Sequence, residues 1–424
     1  VSVLGALVIG GLLLASAAIG QSSGQAPASN RVTAATVQPS VPSDPNATTA
    51  SDVLPVPEPG LAQLTVAGPP GFASRPAWAV QVAAWTRSVA ADDGTILTRN
   101  PDGYLLLLDP ATGAVRWRSS AATSSGQEGP WLATIDGARV AVVVGGGALS
   151  YWALPALSGP TGASGGMGVT GGTGKAVGSG TSVRLPAGAK VTWAGPSPLV
   201  TTPKGDAGVI RARAVVPVSL PTGARALAAD GSTVLAVTGS TFVRRGVSSA
   251  GVKPRAFPRP AGAGARPLRV EPVGSAFLLT VWPRAAGRGQ IVCLVDTTSG
   301  KIVVQTALAA TVDLTHAAIV REQAGAQTLL GPVLVDTYTA NLDLLDPRYS
   351  VRSVTRGHAW AMFQGRATDI QLDRAGSFRT VSFPSGEPAL PIGVVAPARG
   401  RVSTAVVVVP SSRRWVLCGL PASA

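Results

Sequence analysis

Two histidines and two cysteines in a chain of 424 residues, beside 21 Asp and Glu, leave little material for nucleophilic, acid–base or metal chemistry. His316 and His358 stand far apart, neither with a second histidine beside it, and both read as structural. Cys293 and Cys418 are single: they either pair as a disulfide in an oxidising exterior or sit as two buried small hydrophobes, and the sequence leaves both readings open. Gly166-Met167-Gly168-Val169-Thr170-Gly171 spells a GxGxxG inside the Gly/Ser/Thr stretch 158–181. No helix follows to present its N-terminus to a pyrophosphate, so this reads as a loop inserted in a sheet. Gly174-Lys175-Ala176 imitates a P-loop ending, but Ala176 has no metal-binding hydroxyl and Val169 stands where the first Gly belongs.

Arginine is the abundant ionisable residue. Of 35 Lys and Arg, only residues 175, 190, 204, 253 and 301 are Lys, and the formal net charge is +14. Two readings compete. The Arg, Ala, Gly, Val and Pro excess matches the codon bias of a high-GC, actinobacterial-like genome, which would scatter the charge. Alternatively Arg211, Arg213, Arg225, Arg244, Arg245, Arg255 and Arg259, opposed only by Asp230 in that interval, gather on one face and bind anionic lipid or a cell-wall polymer. Basic clusters with interleaved aromatics are missing, so nucleic acid is not an expected partner.

The elements that carry these residues are strands. The chain is 46% hydrophobic and 13% charged, with 51 Gly and 35 Pro, too few charged residues to wet the faces of long amphipathic helices. Short apolar runs ending in Gly, Pro, Asp or Ser predict an all-β body.

Residues 1–20, VSVLGALVIGGLLLASAAIG, carry no charge, and twenty residues at about 1.5 Å each match a bilayer core. They are expected to be a transmembrane anchor, or a signal segment cleaved near Ala15-Ser16-Ala17. Residues 21–72 are expected to form a Pro/Ser/Ala-rich stalk that holds a folded body, 73–424, outside the cytoplasmic membrane.

In that body the clearest unit runs Ile96-Leu97-Thr98, turn at Asn100-Pro101-Asp102-Gly103, Leu105 to Leu108, turn at Asp109 to Gly113, then Val115-Arg116-Trp117. It reads strand, turn, strand, turn, strand, with Gly taking the positive φ at each reversal. A degenerate copy surrounds Asp296-Thr297-Thr298-Ser299-Gly300-Lys301, and weaker echoes lie at Leu220–Leu227, Leu372–Arg379 and Phe383–Glu387. Repeats of about 40–50 residues with four short strands are the signature of a β-propeller, and the spacing predicts roughly seven blades. The nine Trp then read as packing between blades.

Asp109, Thr112, Gly113 and Trp117, echoed by Asp296 and Gly300, resemble the repeat of the pyrroloquinoline-quinone-type (quinoprotein-like) propellers, in which an Asp-x-x-Thr-Gly turn leads into a strand whose Trp docks neighbouring blades. The resemblance implies the fold. Its catalytic branch would require a calcium site of Glu and Asn beside an Asp base, and commonly a vicinal Cys pair. This chain shows neither, so no quinone, metal or other cofactor and no catalytic residue is expected. The expectation is a non-enzymatic, membrane-tethered propeller of the cell envelope that binds another protein. The alternatives are an envelope hydrolase or lyase using loops on one face, or the sensor half of a larger membrane protein.

Overall fold

The computed structural model describes residues 64–84, 87–91, 94–155, 180–248, 252–322, 327–337, 339–355, 357–372, 378–383, 389–395, 403–411 and 414–423. The expected anchor, most of the stalk, both phosphate-loop look-alikes, Trp85 and the echoes at 373–377 and 384–387 lie outside the described residues.

Among the described residues 32 strands form eight antiparallel sheets of four. Seven sheets are consecutive meanders. Blade 1 is Val89–Ala90, Ile96–Arg99, Leu105–Leu108 and Val115–Arg118. The inner strands of the next six blades begin at Glu128, Lys190, Arg225, Arg269, Ile319 and Ser350. Blade 8 closes the ring with Pro391–Val395, Thr404–Ser411 and Arg414–Pro421, and takes its outer strand, Trp78–Val82, from the other end of the body. This is an eight-bladed β-propeller.

The expected seven blades therefore become eight. Blade 3, with strands Lys190–Thr192, Leu199–Thr201, Ala207–Arg211 and Ala214–Val218, escapes a sequence reading because its last reversal is made by Ala212 and Arg213 at φ of 45° and 65°, with no Gly, Asn or Asp to mark the turn. The boundary at 72 also moves. Val66 is 4% exposed and packs with Val407, Cys418 and Leu420, while Leu64 and Phe72 lie against the same cluster. Ala389 N–H donates to the Ala67 carbonyl at 3.2 Å. Residues 64–72 belong to the folded body because Leu64, Val66 and Phe72 pack on the core of blade 8.

Core clusters form between successive blades. Trp117, 6% exposed, packs with Val89, Leu97, Leu105 and Leu107 of its own blade and Ala141, Val143 and Trp152 of blade 2. In the copy, a β-bulge leaves Val303 unpaired where Arg116 is unpaired in blade 1, so Val304 falls at the position of Trp117. Val304 packs on Leu308, Leu314, Leu330 and Val335 toward blade 6. The turn is the same in both. Asp109 Oδ1 accepts from the Ala111 and Thr112 amides at 2.8 and 3.0 Å, and Asp296 Oδ1 from Thr298 and Ser299 at 2.7 and 3.3 Å. Gly113 and Gly300 close it at φ of 68° and 73°, a conformation that glycine adopts without strain. Leu220–Leu227 is no third copy: it spans the connection between blades 3 and 4 and the start of the inner strand Arg225–Asp230.

Cys293 lies in blade 5, Cys418 in blade 8, and both are free and buried. The disulfide reading is thereby corrected: two intervening blades exceed the reach of a bridge, whose Cα atoms stand within about 7 Å. The cysteines fill core volume. His358 is held within blade 7 by Asp369, a fully buried carboxylate eleven positions away on the next strand, with Nδ1 at 2.9 Å from Oδ1 and 3.1 Å from Oδ2. Gln371 donates to the same carboxylate, and the imidazole stacks on Trp360 at 4.9 Å.

Candidate functional site: the channel mouth

Each inner strand is reached from the outer strand of the preceding blade, so all eight inner strands start on the same face of the disc. That face is termed upper here, and the starts of the inner strands surround the upper mouth of the central channel. Lys190, Arg225 and Arg269 are the first residues of the inner strands of three successive blades, 3, 4 and 5. Arg87 lies two residues before the inner strand of blade 1, and Arg352 is the third residue of that of blade 7. Arg352 is the unpaired residue of a β-bulge between Val351 and Ser353. Lys190, Arg225, Arg352 and Arg87 are exposed.

Several of these groups also fasten neighbouring blades. Arg225 donates to the Val270 carbonyl in blade 5 at 3.3 Å. Arg269 donates to the carbonyls of Leu314 at 2.9 Å and Ala317 at 2.7 Å, in the connection to blade 6, and to Glu271 at 2.9 Å. Arg321 returns from blade 6 to the other oxygen of Glu271 at 3.1 Å. Burial lowers the pKa of the Arg321 guanidinium, with Glu271 opposing that shift. Among the described carboxylates of the upper face, Glu271 is engaged by two arginines and Asp346 by Arg348, whose hydrogen bonds hold the carboxyl down to about 2. Glu128, first residue of the inner strand of blade 2, is exposed. Beside Arg269, Leu268 is 47% exposed. Below the rim, Trp131 of blade 2 stacks on Trp193 of blade 3 with centroids 4.6 Å apart.

The arginines singled out from sequence do not form one face. Arg225 belongs to the upper mouth. Arg211 and Arg213 lie at the lower ends of strands of blade 3, where Arg211 pairs with Asp136 at 3.4 Å. Arg244 and Arg255 both bond Thr298 in the turn of blade 5, by its hydroxyl and its carbonyl. Arg245 bonds the carbonyls of Ser219 and Val252, and Arg259 that of Ala263. Most of the set is engaged in contacts within and between blades. The cations at or near the starts of inner strands include Lys190, Arg269, Arg352 and Arg87, which sequence reasoning passed over because they are spread across the chain. Their common sign is position: each lies at or near the start of an inner strand, a register visible only once the blades are counted. Among the described residues no three His, Cys, Asp or Glu gather as metal ligands.

No family model matches the sequence, and no curated protein matches it. Solved structures are similar in fold. BamB from Moraxella catarrhalis is 14% identical, with 81% of this chain and 98% of that chain covered and a TM-score of 0.38. The C-terminal WD40 domain of Sif2 is 9% identical, with 81% and 99% covered and a TM-score of 0.42. AztD from Citrobacter koseri is 12% identical, with 73% and 88% covered and a TM-score of 0.40. These likenesses are too loose to carry function, and the propeller assignment stands on the sheet order itself.

Proposed function

We propose that this propeller is a non-enzymatic interaction module, tethered outside the cytoplasmic membrane by residues 1–20, whose upper channel mouth is its contact surface. The observation that carries this reading is the placement of exposed Lys190, Arg225, Arg352 and Arg87 at or near the starts of four inner strands around one mouth, where they outnumber the exposed Glu128. Such a rim attracts and orients a partner of opposite charge. Inter-blade bonds from Arg225, Arg269 and Arg321 keep it rigid, which lowers the ordering cost of association. The uncharged segment followed by a polar stretch supports the tether.

A photo-crosslinking amino acid at position 190 should yield discrete adducts in cells, and one at position 213 on the lower face should not. Equal adducts at both positions, or none at 190, would overturn the reading. Protease added to spheroplasts should remove the body, and full protection would overturn the location.

A further inference from the structure

We infer that residues 64–72 are a releasable strap, and that its lifting opens the seam between blades 7 and 8 while the other seams stay closed. This device is independent of what binds at the channel mouth.

Among the described residues, seven of the eight seams hold an apolar cluster drawn from both of their blades. The seam between blades 7 and 8 is built differently. In blade 7, Val354, Ala359, Ala361 and Ile370 pack toward blade 6, so strand alternation turns Ser353, Thr355, His358, Trp360, Asp369 and Gln371 toward blade 8. The Ser353 hydroxyl confirms the direction by donating to the Pro391 carbonyl of blade 8 at 2.8 Å. All of these but Trp360 are polar, and Asp369 spends its bonds inside its own blade, on His358 at 2.9 Å and Gln371 at 3.0 Å. The opposing face of blade 8 is apolar. Val407, Val409, Val416, Cys418 and Leu420 cluster there with Leu64, Val66 and Phe72 of the strap, and no described residue of blade 7 joins them. A polar wall gains little from meeting an apolar one, so the cohesion that a neighbouring blade supplies at the other seams comes here from the strap.

The strap is attached as a segment laid on a finished sheet. Ala389 N–H donates to the Ala67 carbonyl at 3.2 Å, Ala73 N–H to Pro421 at 2.8 Å and Ser423 N–H to Gly71 at 2.8 Å, while Val66 N–H turns back on Ser74 at 2.8 Å. Its fit is close, since a Cβ at Gly68 would meet the Leu420 side chain at 2.9 Å. Peeling a single segment from a sheet disrupts less packing than parting two four-stranded sheets, so this seam opens before the molecule unfolds. Opening uncovers Cys418. Cys293, in the cluster shared by blades 4 and 5, stays covered.

The two native cysteines therefore report on two kinds of seam. The full chain is incubated with N-ethylmaleimide in denaturant below the global transition, which circular dichroism defines, and peptide mass spectrometry follows each thiol. Cys418 should be modified faster than Cys293 by roughly ten-fold or more, as a sub-global opening requires. Leu64→Asp with Val66→Asp should speed Cys418 further and leave Cys293 unchanged. Trp117→Ala, which loosens the seam of blades 1 and 2, should not favour Cys418. Equal rates in the parent, protection of both thiols up to the global transition, or equal acceleration of both by the strap variant would each overturn the inference. So would a preference for Cys418 in Trp117→Ala as large as that in the strap variant. The comparison of the two thiols in the parent decides the matter even where the strap variant does not fold.

Discussion

Trp78 Nε1 donates to the carbonyl of Pro110 at 2.9 Å, a bond between the outer strand of blade 8 and the Asp-Pro-Ala-Thr-Gly turn of blade 1. The indole lies over two glycines. A Cβ at Gly113 would sit 2.7 Å from the Trp78 ring, and Gly419, opposite Trp78 in the closing sheet, is crowded by the same indole. One side chain thus joins the first strand of the body, a late strand and the neighbouring blade.

Trp78→Ala should destabilise the propeller by about 3–5 kcal/mol, the range for truncating a large buried aromatic. Gly419→Ala should be comparably harmful, since the added methyl has no space. Denaturant midpoints at unchanged m-value measure both, and a shift equivalent to under about 0.5 kcal/mol for either would show that the ring does not depend on this seal.

Trp117→Ala should cost about 3–5 kcal/mol for the same reason, as this ring fills the interface of blades 1 and 2. A negligible change in the same assay would place the interface elsewhere.

His358→Ala leaves the Asp369 carboxylate buried with Gln371 alone, and stripping a hydrogen-bond partner from a buried polar group costs about 1–3 kcal/mol. Adding Asp369→Asn to that variant should restore part of the loss. Simple additivity of the two substitutions would show that the residues are not coupled.

Burial pushes the Asp109 carboxyl upward, but the Arg116 hydrogen bond and the Ala111 and Thr112 amides outweigh it and hold the pKa below the ordinary range. Asp296 is likewise lowered: burial raises its pKa, and the Thr298 amide, the Ser299 hydroxyl and amide and the charge of Arg244 outweigh that. An unfolded Asp titrates near about 3.9, so these groups bind protons more readily when unfolded. Their stabilisation is fully present above that value and is lost as pH falls through the lower folded values. Acid unfolding of Asp109→Asn should therefore show a shallower pH dependence below pH about 4. An unchanged slope would count against the turn as a source of it.

Burial pushes both thiols up to about 12, at Cys293 against a Thr280 hydrogen bond that lowers it slightly. A thiol reagent at pH about 8 should leave the folded protein unmodified and label both cysteines after denaturation without reductant. Labelling that requires reductant would restore the disulfide.

The propeller was legible because one blade is written plainly: Asn100 to Gly103 and Asp109 to Gly113 are turns, and Leu105 to Leu108 is a buried strand. Blade number was not, because blade 3 turns on Ala212 and Arg213 rather than on a residue that marks a reversal. The mouth was legible only in kind. An arginine excess signals an anion, but Arg211 to Arg259, neighbours in sequence, disperse over the rim and both faces, whereas Lys190 and Arg352 share the upper end of an inner strand in blades four apart. Asp369 was hidden from His358 for a related reason, since cross-strand partners follow sheet register rather than sequence spacing.

Because the ring closes on a strand near the start of the body, timing enters its assembly. Trp78–Val82 leaves the ribosome long before Arg414–Pro421, its partner in the closing sheet. Until then its inward residues Trp78, Val80 and Val82 form an unpaired, apolar edge open to other chains. The strand that completes the finished disc is thus the one that has waited longest for its neighbour.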